Sequence, residues 1–336
     1  MTISAPPLAT PTAELAKTTV ARDLISIQDF TPAEVDYVLD LASVMKAKPG
    51  DFRGALAAKQ MVLFFEKPSL RTRLTFESAI SSLGGTSFFV DQTASRLGAR
   101  EPLRDVAKNL ERWVDVIVLR TFSHDTIVDM AEHASIPVIN ALSDYEHPCQ
   151  ALADFLTLKE KFGDLRKVRL AYVGDGNNVA HSLMLAAASV GATISGGTPK
   201  GYEPDAHVTS LAKSIASQTG GNVEVLTDPV AAVTGADAVY TDVWASMGQE
   251  SEADARSSIF QPFQVNRALM SHAAEHAIFM HCLPAHRGDE VTADVIDSGC
   301  SVVFDEAENR LHIQKAILYM LLGGGAFHFR ARSSNE

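Results

Sequence analysis

Past residue 20 the chain alternates between short, uninterrupted apolar runs and longer stretches whose apolar positions recur every three to four residues. Met61-Val62-Leu63-Phe64-Phe65, Ser87-Phe88-Phe89-Val90 and the segments 115–119 and 137–140 read as buried strands, and between them 72–83 and 103–113 carry the helical period. A strand–helix–strand rhythm of this kind builds a parallel sheet covered by helices. The rhythm pauses at a longer helix, 151–162, closed by Gly163-Asp164, and restarts with a strand over 168–173. Further strands are expected over 192–195, 222–225, 238–241, 277–281 and 301–304, with a last helix over 309–322 that ends at Gly323-Gly324-Gly325. The predicted fold is α/β: two parallel-sheet domains with the site in the cleft between them, and a C-terminal helix packing back across both. In numbers, 1–20 are a disordered tail, 21–150 plus the helix 309–330 form the first domain, and 151–308 form the second.

Composition narrows the chemistry. With 336 residues, 46% hydrophobic and 21% charged, the chain is long enough for a core in each domain. Its 29 Lys and Arg against 41 Asp and Glu give a net charge of −12, which disfavours nucleic acid and anionic membranes as partners. Any anion must then be held by a local cluster of basic groups and backbone N–H donors. Three cysteines, Cys149, Cys282 and Cys300, form neither a disulfide framework nor a Cys-x-x-Cys metal pair. No apolar run is long enough to span a bilayer, and the N-terminal tail lacks the layout of a signal peptide, so a reducing cytoplasm is expected.

In open α/β sheets ligands bind beyond the carboxyl ends of strands, and the chemically informative residues of this chain fall there. Ser69-Leu70-Arg71-Thr72-Arg73 follows the strand 61–65 and opens a helix. Ser69 is a good N-cap, the first-turn N–H groups favour an anion, and Arg71 offers a fork suited to phosphate oxygens. Cations at this end of a helix oppose its dipole, so an anion is needed to explain them. Arg73, four residues before Glu77, is placed for an intrahelical pair instead. Arg120 ends another strand, and His147, in Asp144-Tyr145-Glu146-His147-Pro148-Cys149-Gln150, is suited to polarising a carbonyl, although a histidine before proline is more often a plain turn residue.

In the second half, Gly174-Asp175-Gly176-Asn177-Asn178 resembles a dinucleotide loop, but Val179 occupies the third glycine position and no acid ends the following strand. That weakens the reading as an NAD-dependent dehydrogenase, and the Asn pair suits a small zwitterion better. Asp242, in Asp242-Val243-Trp244-Ala245-Ser246-Met247-Gly248, suits an ammonium group. His281-Cys282 suggests a nucleophile or metal pair, yet strand neighbours point to opposite faces, so the thiol is expected to line a pocket and no metal is expected. Glu308-Asn309-Arg310 is expected to open the last helix, placing another arginine at an anion-friendly terminus.

Taken in order, these motifs resemble the aspartate/ornithine carbamoyltransferase family over roughly residues 23–323. Ser69-Leu70-Arg71-Thr72-Arg73 and His147-Pro148-Cys149-Gln150 match its shared carbamoyl phosphate motifs. Asp242, Ser246-Met247-Gly248, His281-Cys282-Leu283-Pro284, Gly176-Asn177-Asn178 and Glu308-Asn309-Arg310 resemble its ornithine branch. The resemblance implies transfer of the carbamoyl group of carbamoyl phosphate to L-ornithine, without cofactor or metal, by a homotrimer or a multiple of trimers in arginine biosynthesis. It implies carbamoyl phosphate contacts from Ser69, Leu70, Arg71, Thr72, Arg96, Arg120, His147, Gln150, Cys282, Leu283 and Arg310, with Arg71, Arg120, His147 and Cys282 at the reaction centre. It implies that Asn178, Asp242, Ser246 and Met247 hold ornithine. Arg96 departs from the family pattern, standing where ornithine enzymes often carry Gln in a loop that reaches the neighbouring subunit. Leu70 replaces a commoner Thr where only the backbone N–H matters. The alternative substrates are another amine, putrescine or an N-acylated ornithine.

Overall fold

The apolar runs become the strands of two parallel sheets in the computed structural model, which describes residues 19–20, 22–92, 96–245, 253–323 and 328–329. The strands are β1 (Thr19–Val20), β2 (Gln60–Phe65), β3 (Thr86–Asp91), β4 (Val116–Arg120), β5 (Val138–Leu142), β6 (Arg169–Val173), β7 (Thr193–Gly197), β8 (Asn222–Leu226), β9 (Ala238–Thr241), β10 (Ile278–Met280) and β11 (His328–Phe329). One sheet runs β3-β2-β4-β5 and the other β10-β9-β6-β7-β8, while β1 pairs with β11. Every pairing is parallel, so the near-continuous apolar strands are what a sheet covered on both faces requires. Thr19–Val20, expected in a disordered tail, lie in this small extra ladder.

The helices are α1 (Pro32–Ala47), α2 (Leu70–Ser82), α3 (Leu103–Leu110), α4 (His124–His133), α5 (Pro148–Phe162), α6 (Asn178–Val190), α7 (Ala206–Thr219), α8 (Pro229–Val233), α9 (Ala253–Phe260), α10 (Arg267–Met270), α11 (Ala293–Ile296) and α12 (Val303–Leu322). Helix α1 was not anticipated, though Thr31-Pro32-Ala33-Glu34 is a full capping box with proline in the first turn. Helix α5 opens at Pro148, three residues before the expected start, because proline is pre-shaped for a first turn.

The expected strand over 301–304 is not formed. Ser301 makes a single bridge to Phe279, and α12 begins at Val303 rather than at residue 309. The β-branched pair Val302-Val303 invited the strand reading; burial of Val303, Glu306, Arg310 and Ile313 follows the helical period and prevails. Arg310 therefore lies within α12, not at its terminus. Helix α12 packs on α5, α1 and α2 and touches β10, so one C-terminal element reaches both sheets.

Candidate active site

The end of β2 delivers the chain to Ser69, whose extended backbone caps α2. The Ser69 hydroxyl accepts from the Thr72 N–H at 3.3 Å and donates to Thr72 Oγ1 at 2.9 Å. Arg310 Nη2, from α12, donates to the same Thr72 Oγ1 at 2.6 Å. The first and the last of the basic motifs thus meet across 238 residues of sequence. Arg120 ends β4 at a register irregularity between Leu119 and Arg120, a break of the kind that re-aims a side chain. Burial, then the Arg310 cation, pull its guanidinium down to about 9, with Arg71 adding to the effect. Burial also lowers Arg310, and its Nε has no partner. A crowd of buried cations around one helix start is an arrangement that an anion completes. Arg73 is not part of it: it pairs with Glu77 at 3.1 Å and lies over the Phe89 ring at 3.7 Å. Leu70 is exposed at the first turn, and Arg96 lies over the Phe122 ring, sharing it with Lys67.

His147 precedes α5 as its cap and is buried. Burial, then Arg310 and Arg120, hold its imidazole well below the ordinary histidine range, so the ring is neutral at pH 7. Its Nδ1 has no partner, and neither has Gln150 Oε1, one turn away. A neutral imidazole and an amide oxygen facing a cationic pocket suit a group with both a carbonyl and an amine. The loop before His147 is stitched to α6. Its backbone N–H donates to Ser182 Oγ at 2.9 Å, Asn178 Nδ2 donates to the Ser143 carbonyl at 2.7 Å, and His181 Nδ1 to the Tyr145 carbonyl at 2.8 Å. The fully buried Glu146 carboxyl accepts from Ser182 Oγ at 3.0 Å, from the Ile27 N–H at 3.2 Å and from Ser26 Oγ. Sequence reading passed over Glu146 and Ser182, since neither belongs to a motif of its own.

The loops after β6, β9 and β10 supply the other wall. Asp242 accepts from Asn177 Nδ2 at 2.9 Å and from the Cys282 thiol at 3.1 Å. Burial, then the Asp242 charge, push the Cys282 thiol well above its ordinary value, so it stays protonated and is not a nucleophile. The glycine loop holds its own chain where a dinucleotide would lie. A side chain at Gly176 would meet the Pro204 backbone at 2.2 Å, and the Gly176 N–H donates to the Tyr202 carbonyl at 2.9 Å. Asn178 points to Ser143, leaving Asn177 as the member of the pair that reaches Asp242. Its signal was local, since Asn177 is the N-cap of α6.

His281 and Cys282 lie beyond the end of β10, so strand alternation does not separate them. Their donor atoms and that of Asp242 come within 4.8 Å of one another. The His281 ring is committed, however: Nδ1 accepts from the Leu283 N–H at 2.8 Å, so Nε2 carries the proton toward Glu290 Oε1 at 3.2 Å. The ring braces the Cys282-Leu283 turn, where Leu283 sits at φ 57°. Ser246 and Met247 lie outside the described residues.

Known proteins resemble the chain along nearly its whole length. Residues 22–160 match the family described as aspartate/ornithine carbamoyltransferase, carbamoyl-P binding domain, and residues 166–321 match its Asp/Orn binding domain. The ornithine carbamoyltransferase of Pyrococcus abyssi is 53% identical over 305 residues, 90% of this chain and 96% of that protein. The anabolic ornithine carbamoyltransferase of Pyrococcus furiosus is 51% identical over 308 residues, 91% of this chain and 98% of that one. A solved structure of ornithine carbamoyltransferase from Pyrococcus furiosus superposes with a TM-score of 0.88 at 50% identity, covering 91% and 98% of the two chains.

Proposed function

The chain belongs to the aspartate/ornithine carbamoyltransferase family, and from that premise we propose that it moves the carbamoyl group of carbamoyl phosphate to the δ-amine of L-ornithine, giving L-citrulline and phosphate. It is a carbamoyltransferase; the residue roles below, and assembly as a homotrimer or a multiple of trimers, are our reading.

The observation that carries the reading is the meeting of Arg310 with Thr72 beside the lowered Arg120 guanidinium. Ser69, the Leu70 N–H, Arg71, Thr72 and Arg310 take the phosphate, and Arg96 contributes at its edge. Arg120 bridges phosphate and carbonyl, His147 donates to the carbonyl oxygen, and Gln150 with the Cys282 and Leu283 backbone takes the carbamoyl NH2. Asn178, Asp242, Ser246 and Met247 hold the amino-acid end of ornithine. A free δ-amine titrates near that of lysine, roughly 10.4, and the adjacent arginines favour its neutral, attacking form. The bond from δ-nitrogen to carbonyl carbon forms as the carbon–oxygen bond to phosphate breaks, and the proton shed by the nitrogen leaves with the phosphate. Charge developing on the carbonyl oxygen is met by Arg120, Thr72 and neutral His147, and the phosphate departs into the helix start that held it. The Cys282 thiol, held protonated, makes no covalent intermediate.

The Pyrococcus furiosus relative is an anabolic enzyme, which supports a role in arginine biosynthesis. Among the described residues no helix is long and apolar enough to cross a membrane, and Cys149, Cys282 and Cys300 are free thiols, which supports a cytoplasmic setting. Citrulline formation assayed in parallel with ornithine, putrescine, N-acetylornithine and aspartate tests the function. Ornithine is expected to exceed the others in kcat/KM by at least about a hundredfold; preference for any other amine would overturn the substrate assignment.

A further inference from the structure

Beneath the site lie two buried acids that the transfer chemistry above does not use. Asp154 is on α5, one turn after Gln150, and Glu306 is on α12, one turn before Arg310; their exposures are 0% and 1%. Asp154 Oδ1 accepts from Gln150 Nε2 at 2.7 Å, and Glu306 Oε2 accepts from the His281 backbone N–H at 3.0 Å. Neither of the remaining oxygens, Asp154 Oδ2 and Glu306 Oε1, is reached by an N–H group, although both are buried. Helices α5 and α12 pack together, and each carboxyl is the other's strongest electrostatic neighbour, so two acids with one unpartnered oxygen apiece share this buried corner. Ionised carboxylates only accept, so a bond between two of them requires a proton on one. Two acids buried together out of water do not both ionise.

We propose that Asp154 and Glu306 share a single proton and act together as positioning residues for carbamoyl transfer. Through Asp154 the pair fixes the Gln150 amide with Oε1 turned to the carbamoyl group, and through Glu306 it holds the His281-Cys282-Leu283 loop against the same group. This role rests on the assignment of Gln150, Cys282 and Leu283 to carbamoyl binding made above. The amide orientation follows from proton count. With one proton between the acids, Asp154 Oδ1 remains an acceptor and Gln150 must present its NH2 to it. Gln150 Oε1 is then left buried and unserved, and a carbamoyl NH2 supplies the missing donor. A second proton would let Asp154 donate and Gln150 turn over; loss of the last proton would set two carboxylates side by side. Burial raises both acids, and Asp154 raises Glu306 further. From outside the pair, the Arg310 cation and the Tyr240 hydroxyl face Asp154, while Asp305 and the His281 N–H face Glu306. Cys282 and Asp242 act on the same corner through Tyr240.

Amide substitutions count the protons. Asp154→Asn puts a permanent N–H where the shared proton lies, and Glu306→Gln does the same from the other side, so each keeps a donor facing an acceptor. The double variant D154N/E306Q sets N–H against N–H. Both single variants are expected to melt within a few degrees of the parent, and the double variant about 5 °C or more below them. In the double variant KM for carbamoyl phosphate is expected to rise about tenfold, with a smaller fall in kcat, as for a misaligned binding group. In the parent, KM for carbamoyl phosphate rises on the alkaline side as the last proton leaves; in both single variants that rise disappears. A double variant as stable as either single, or an alkaline rise that survives in both singles, overturns the shared proton. A parent enzyme that shows no carbamoyl phosphate binding by calorimetry removes the positioning role, while the melting order still judges the proton separately.

Discussion

At the scale of single residues, the site is defined by buried cations that the fold holds close together. Burial lowers both Arg120 and Arg310, the Arg310 cation lowers Arg120 further and Arg71 lowers both, so the pocket carries like-charge repulsion that a phosphate group would relieve. Arg310→Ala removes one cation and the donor to Thr72, with opposite effects on the free protein. The melting temperature without ligand is expected to move by only about 3 °C or less. Saturating carbamoyl phosphate stabilises the parent through mass action, by about 2.7 kcal/mol at a hundred times Kd, and that gain should largely vanish in the variant. The same change is expected to lower kcat/KM by roughly two to three orders of magnitude. A variant that keeps the full thermal shift with carbamoyl phosphate would refute the phosphate grip. Arg71, Thr72, Arg120 and His147 could each be picked from the sequence as strand-end or helix-start residues. That His147 is neutral and Cys282 a protonated thiol could not, because both follow from burial and from charges distant in the chain.

At the scale of elements, the loop between β5 and α5 decides how the two sheets face each other. Its anchor is Glu146, whose carboxyl burial pushes up from 4.5 to about 7 despite donors from Ser26, Ile27 and Ser182. Below 4.5 folded and unfolded chains both carry the proton, and the native state bears no penalty. Between 4.5 and about 7 the unfolded chain ionises while native Glu146 holds its proton, so stability falls as pH rises. Above that window the loss levels off at about 3 kcal/mol. Glu146→Gln, which cannot ionise, is expected to flatten this fall in urea melts taken across the window, and to be the more stable protein at about pH 8. Asp154, Glu306 and Asp36, also raised by burial, add to the slope with the same sign, whereas His124, His147, His181 and His312, lowered by burial, oppose it below the ordinary histidine value. A variant with the parent's full slope would show that Glu146 is not the titrating group. Helix starts were readable at this scale where a cap preceded an apolar period, as at Ser69, while the equally local capping box at Thr31 was not anticipated. The start of α12 was not, since Val302 offers no side-chain cap and its neighbours favour strands.

At the scale of the whole molecule, an exposed apolar face speaks for assembly. Leu70 at 72% and Leu74 at 51% lie on successive turns of α2, and Phe88, also at 51%, is on the edge strand β3. Apolar groups on a helix beside a sheet edge are a surface suited to being covered by a second copy, as the proposed assembly requires. The proposed homotrimer, or multiple of trimers, is expected to give a mass of three copies or a multiple of three in light scattering, and Leu74→Asp to shift it toward monomer; a parent chain that is monomeric at micromolar concentration would end that proposal. The sequence by itself determined the parallel α/β class, the order of the motifs and the capped, basic start of α2. These rest on local physics: the period of burial along a strand or helix, and the unpaired N–H groups behind a cap. Only the tertiary structure decided that Arg310 meets Thr72, that Gly176 packs on its own chain, that His281 braces a loop, and that Asp154 faces Glu306. Each of those depends on which remote segments exclude water together, and the free energy of a buried charge or hydrogen bond is set by that exclusion rather than by neighbours in the sequence.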